Sequence, residues 1–138
     1  MVPLLTQSCT RMSKRKLFIV EDDPMFAEML TDFLSSRPQW ELHYFPTGED
    51  CVKQAYLMPD VAIIDYHLDS EKSEGINGID TMVKLKKTAP GCHCVFLSGQ
   101  ERYGIALQTI SHGAESYIFK DENAFTEIGK ILDAIPVD

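Results

Sequence analysis

No stretch of this 138-residue chain is apolar over anything near the roughly 20 residues that a membrane-crossing helix requires, so no spanning segment is expected. Positive charge is scarce: 13 Lys and Arg stand against 21 Asp and Glu, a formal net charge of −8, which argues against direct nucleic-acid binding through a basic surface. Met1 to Met12 lacks the charged start and apolar core of a secretory signal, so a cytoplasmic location is expected. Cysteine is too sparse for a disulfide scaffold, with Cys9, Cys51, Cys92 and Cys94 only. Cys92 and Cys94 sit two apart in an expected strand and so share a face, but no second Cys or His pair completes a tetrahedron. Two small buried thiols are expected there. His43, His93 and His112 form no ligand pattern, and there are neither internal repeats nor low-complexity segments. The hydrophobic fraction of 44% and charged fraction of 25% are those of an ordinary globular protein, and the length suits one domain with a real core.

What the chain does have is alternation. Residues 1–12 carry no periodicity and read as a disordered tail ahead of a domain over 13–138. Leu17 to Val20 is a short buried-strand run. Asp23-Pro24 then opens a helix as N-cap and first helical residue, with Phe26, Met29, Leu30, Phe33 and Leu34 expected on the sheet. Trp40 to Phe45 alternates as a strand. Thr47 caps a helix whose apolar side is Cys51, Val52, Ala55 and Tyr56. Val61 to Ile64 is a second buried run, followed by a polar segment, Tyr66 to Asn77, that is long for a strand-to-helix connection. Gly78 starts a helix with Ile79, Met82, Val83 and Leu85 inward. A strand from Cys92 to Leu97, a short helix at 105–110, a strand at Ser116 to Phe119 and a final helix capped by Asn123 complete the pattern. Five strand–helix units predict an α/β domain with a parallel sheet covered on both faces.

The two early strand runs end in acids: Glu21-Asp22-Asp23 and Asp65. In an open parallel sheet the carboxyl ends of neighbouring strands face one crevice, where ligands bind. Glu21, Asp22 and Asp65 are therefore expected in one pocket. Clustered carboxylates resist joint ionisation unless a cation joins them. Mg²⁺ suits such a set, because it binds one or two carboxylates, keeps waters and takes phosphate oxygens. The pattern predicts a Mg²⁺-assisted phosphoryl site.

Five segments in order carry a family resemblance: Phe18-Ile19-Val20-Glu21-Asp22-Asp23-Pro24, Val61 to Leu68 around Asp65, Asn77-Gly78-Ile79-Asp80, Val95-Phe96-Leu97-Ser98-Gly99, and Ser116-Tyr117-Ile118-Phe119-Lys120. Over residues 14–136 the chain resembles a response-regulator receiver domain of two-component signalling, of the single-domain chemotaxis type. The resemblance implies a flavodoxin-like, doubly wound sheet of order 2-1-3-4-5 flanked by five helices. It implies Asp65 as phosphoryl acceptor. Glu21 and Asp22 would be the acidic pair that organises Mg²⁺, with Asp65 and the backbone carbonyl of His67 completing the metal contacts. Ser98 would hydrogen-bond the phosphoryl group, Lys120 would pair with a phosphoryl oxygen, and Tyr117 would be the switch aromatic. The implied partners are a histidine kinase or phosphotransfer protein and a downstream effector bound at the face of the fourth helix, fifth strand and fifth helix. The implied assembly is a monomer or weak homodimer, and not a turnover enzyme.

Two departures from the family's pattern stand out. The segment before Gly78 is several residues longer than usual, and Asp121 follows Lys120 where many receivers have proline. They motivate a second reading, a phosphorylation-independent interaction module. An aspartyl phosphatase is disfavoured, because His67 occupies the position where such an enzyme has its general acid. An excerpt of a longer regulator is a further reading of the same residues.

Overall fold

The computed structural model describes residues 14–68, 77–99 and 113–135. The expected tail at 1–12, most of the long connection and the short helix at 105–110 lie outside the described residues, as do Cys9 and His112. Among the described residues the strands are β1 (Arg15–Val20), β2 (Trp40–Phe45), β3 (Val61–Asp65), β4 (His93–Ser98) and β5 (Ser116–Phe119). The helices are α1 (Pro24–Leu34), α2 (Gly48–Lys53), α3 (Gly78–Thr88) and α4 (Ala124–Ala134), with one 3₁₀ turn at Ala55–Leu57. All strand pairs are parallel and the order is β2-β1-β3-β4-β5, as the resemblance implies.

Both faces of the sheet are covered, so successive strand residues serve opposite cores. Leu17, Ile19, Val61, Ile63, Val95 and Leu97 pack with α1 and α4. Phe18, Val20, Ala62, Ile64 and Phe96 pack with Cys51 of α2 and with Met82 and Leu85 of α3. This two-sided burial is why the runs are continuously apolar instead of alternating. Cys92 and Cys94 are buried thiols in the second of these cores, as expected.

The caps expected at Asp23 and Thr47 form, and Asn77 adds another. Asp23 accepts from Met25 N–H, Thr47 from Asp50 N–H and Asn77 from Asp80 N–H. Met29, Val83, Tyr56 and Asn123 depart from expectation. Met29 is 50% exposed and Val83 also lies outward, because Ala27, Leu30 and Leu34 form the buried stripe of α1, and Met82 and Leu85 that of α3. Phe26 and Phe33 do pack, half-buried, against the core on the sheet, and they also meet Phe125 of α4, with ring centroids 5.5 and 5.3 Å away. The helix at Thr47 stops at Lys53 and tightens into the 3₁₀ turn, which changes the phase of the side chains. Ala55 then faces inward and Tyr56 is 67% exposed. Asn123 makes no side-chain cap; the Asp121 carboxylate accepts from Asn123 N–H at 2.8 Å instead.

Candidate functional site

The register of the sheet builds the site. Val20 is level with Ile64, so the residues that follow, Glu21 and Asp65, emerge side by side at the carboxyl edge. Asp65 is level with Leu97 and Ser98 with Phe119, which brings Ser98 and Lys120 to the same rim. Glu21, Asp65, Ser98 and Lys120 therefore gather at one edge of the sheet.

Glu21 is 1% exposed and Asp65 is nearly as buried. One carboxylate oxygen from each of Glu21, Asp22 and Asp65 lies within 4.8 Å of the others. Glu21 Oε2 accepts from Asp23 N–H at 3.1 Å, and Asp65 Oδ1 accepts from His67 N–H at 3.0 Å. Lys120 Nζ stands 2.8 Å from Glu21 Oε1 and 3.6 Å from Asp65 Oδ2. The 2.8 Å contact makes Lys120 the ion-pair partner of Glu21 Oε1. Burial pushes the Glu21 carboxyl up to about 7 from its ordinary 4.5, and the Asp65 charge adds to the rise while Lys120 works against it. Burial works to lower Lys120, but its contact with Glu21 and the charges of Asp65 and Glu21 outweigh that and hold it above its ordinary value.

These donors fit a divalent cation. Three carboxylates gathered within 4.8 Å of one another, those of Glu21 and Asp65 buried, are an all-oxygen donor set of the kind Mg²⁺ takes. Two like charges held in a buried space are also the arrangement a cation relieves.

The seat of Lys120 needs no proline after it. Lys120 N–H donates to Ser98 O at 2.7 Å, and Asp121 N–H donates back to Phe119 O at 2.8 Å, closing a three-residue turn centred on the lysine. No peptide bond among the described residues is cis. Phe26 of α1 supports the lysine from below, with Nζ 4.7 Å from the ring centroid. Helical spacing gives no sign of this contact beyond the position of Phe26 three residues after Asp23.

Ser98 is fully buried, and its side chain is hydrogen-bonded with the Tyr117 hydroxyl. Burial raises the Tyr117 hydroxyl above its ordinary value, against that hydrogen bond. Tyr117 is half-buried and packs beside Phe119 at 5.6 Å and Tyr66 at 6.3 Å. Tyr66 in turn meets His67 edge-on at 4.9 Å, and the His67 residue is exposed. Tyr66 escaped the sequence reading, since a residue next to the acceptor strand's last acid carries no pattern of its own. Gly78, which opens α3 and belongs to one of the five family segments, also has a steric role. A Cβ there would lie 2.7 Å from the Asp65 carbonyl oxygen, so glycine lets α3 begin against the end of β3.

Comparison with known proteins gives one consistent result. The family model described as the response regulator receiver domain matches residues 17–132. A glycerol metabolism activator of Pseudomonas putida is 24% identical over 111 residues, covering 76% of this chain and 47% of that protein. The chain thus spans about half the length of this curated relative. Among solved structures, a CheY-like receiver domain protein from Methanospirillum hungatei JF-1 aligns with a TM-score of 0.74 at 20% identity, covering 88% of this chain and 93% of the other. The response regulator domain of Thermotoga maritima CheB gives 0.74 at 23% identity, covering 91% and 98%. A response regulator protein from Burkholderia pseudomallei, solved with a phosphorylated aspartic acid, a calcium ion and citrate, gives 0.68 at 19% identity, covering 91% and 78%.

Proposed function

The chain belongs to the response regulator receiver domain family of two-component signalling, and we propose that it takes a phosphoryl group from a histidine kinase or phosphotransfer protein onto Asp65, in a Mg²⁺-dependent step that switches a protein-interaction surface. The observation that carries this reading is the cluster of three carboxylates, two of them buried, with the Lys120 ammonium set against Glu21 and Asp65. The Burkholderia pseudomallei relative, with its phosphorylated aspartic acid and calcium ion, supports it.

Glu21, Asp22 and Asp65, with the backbone carbonyl of His67, are the groups that would hold Mg²⁺. When bound, the ion neutralises the charge spread over the phosphoryl oxygens. The chain's own residues do the rest. An Asp65 carboxylate oxygen attacks phosphorus, forming an acyl phosphate as the bond to the donor's imidazole nitrogen breaks. Charge in that transition state lies on the equatorial oxygens, so positioned cations supply most of the acceleration. Lys120, already 3.6 Å from Asp65 Oδ2, follows that charge and loosens from Glu21. Ser98 donates its hydroxyl to the new phosphoryl group and gives up Tyr117. Tyr117 then repacks, and the face of β5, α4 and the helix expected at 105–110 changes shape toward an effector.

The domain so proposed covers 13–138 behind a tail at 1–12, acts in the cytoplasm as a monomer or weak homodimer, and contacts neither nucleic acid nor membrane directly. It carries one phosphoryl group per cycle and turns over no external substrate. Of the two departures that motivate the phosphorylation-independent reading, Asp121 weakens as a motive, because Lys120 is seated without a proline, while most of the long segment before Gly78 lies outside the described residues. Incubation with Mg²⁺ and acetyl phosphate, followed by intact mass, tests the proposal. One phosphoryl group should add to the wild-type chain and none to Asp65→Asn. Absence of any addition, from both the small donor and a kinase, rejects it.

A further inference from the structure

The free edge of the sheet carries a second candidate interaction site, away from Asp65. Strand β2 pairs only with β1, so its other side is open among the described residues. Arg15 N–H donates to Gln39 O, and Glu21 N–H donates to Phe45 O. In a parallel ladder the main-chain groups of alternate residues point to opposite sides, so residues 39, 41, 43 and 45 face β1. The N–H and C=O of Leu42 and Tyr44 therefore point outward, and among the described residues no turn or loop takes them up. An open edge of this kind is a template for another strand.

Two grooves flank this edge and meet at Tyr44, which is 44% exposed. On the α1 side lies a groove of about 520 Å³, with Pro24, Ala27 and Tyr44 as its apolar part and Glu28 and Asp32 as its acidic part. On the α2 side lies one of about 410 Å³, lined by His43, Pro46, Asp50 and Lys53 among others. Side chains of an added strand alternate between the two faces of a sheet, so an occupant of this edge would offer residues to both grooves in turn.

Charge decides what kind of strand fits. Glu28 and Asp32 are four apart on one helix face, a repulsive spacing, and neither forms an ion pair among the described residues. The chain as a whole carries −8. A second copy pairing edge to edge would set this acidic groove against another chain of the same charge. We propose that the β2 edge docks an extended segment of a partner protein that carries lysine or arginine, which adds as a strand beside β2 and sets its cationic side chains against Glu28 and Asp32. Main-chain hydrogen bonds supply affinity in such an arrangement and the grooves supply selectivity.

The test uses the full chain, ¹⁵N-labelled, and a synthetic peptide of alternating lysine and valine as probe. A control peptide has the same sequence with every backbone nitrogen methylated, which keeps its charge and removes its strand-pairing donors. The probe should slow amide exchange at Leu42 and Tyr44 by at least ~10-fold, leaving the neighbouring exposed amides unchanged. The methylated peptide should give no protection, and Glu28→Gln with Asp32→Asn should weaken the probe's binding by roughly 10-fold. Asp65→Asn should bind the probe as well as wild type, which separates this site from the phosphoacceptor reading. Equal protection by the methylated peptide, protection at residues other than those of β2, or no protection at all would overturn the proposal. So would slow exchange at Leu42 and Tyr44 in a peptide-free dimer.

Discussion

Lys120 is held by Glu21 at 2.8 Å and stands farther, at 3.6 Å, from Asp65. The last strand's lysine is thus tied to the first strand's acid, and the sheet's two most separated site elements are joined across the crevice. Replacing Lys120 with Met leaves two buried carboxylates without their cation, and removing one partner of a buried pair is costly. Lys120→Met should lose stability on the order of 3 kcal/mol at neutral pH by urea titration. Its rate of phosphorylation by acetyl phosphate should fall on the order of 100-fold, the loss expected when one positioned charge is removed from a transition state.

Glu21 makes the metal-free protein sensitive to pH. Its folded carboxyl is raised from 4.5 to about 7, chiefly by burial, so the folded state binds a proton more tightly than the unfolded chain. That contribution to stability is fully present below pH 4.5 and is lost as pH rises through about 7. In EDTA, wild type should lose on the order of 3 kcal/mol relative to Glu21→Gln across this window. Millimolar Mg²⁺ should restore most of it above pH 7, since the ion replaces the proton. Parallel denaturation curves for the two proteins from pH 4.5 to 8 measure both effects.

Gly78 fixes how closely α3 approaches the acceptor strand. A methyl group there meets the Asp65 carbonyl at 2.7 Å, with the Phe96 ring and Tyr66 Cα at 3.0 Å, and backbone cannot move aside cheaply. Gly78→Ala should cost about 2 kcal/mol, as overpacking does. It should also slow modification of Asp65. Amide shifts should concentrate at Asp65 and Tyr66 in heteronuclear spectra.

Ser98 and Tyr117 share a hydrogen bond that the phosphoryl group is expected to take over. Phosphorylation of wild type should therefore shift the Tyr117 ring resonances. In Ser98→Ala, where that hydroxyl is absent from the start, the ring should already sit away from its wild-type position and respond to phosphorylation by less than half as much. Ring-selective labelling of the tyrosines reads this directly.

The sheet was legible because burial on both faces writes itself as short, continuous apolar runs, and the site was legible because an acid directly after such a run must sit at the crevice. Glu21 and Asp65 follow from that rule alone. Ser98 and Lys120 required the whole ordered set of segments, since a serine or lysine after a strand is commonplace. What stayed hidden depended on contacts between distant elements. Met29 and Phe26 both fit helical spacing, yet only the position of α4 decides that Phe26 goes beneath Lys120 while Met29 faces water. Asp121 stands out in the sequence as a departure from proline, but spacing does not reveal that Ser98 O and Phe119 O fix the turn around Lys120. Tyr56 went outward because the chain changed from α to 3₁₀ pitch, a change that apolar spacing does not encode.

The most direct measurement of the central claim is chemical trapping of the acyl phosphate. After exposure to acetyl phosphate, borohydride reduces a phosphorylated aspartate to homoserine, which peptide sequencing by mass locates. The account predicts homoserine at position 65 when Mg²⁺ is present and none after EDTA. Homoserine at another position, or equal labelling of Asp65 without a divalent cation, would contradict it.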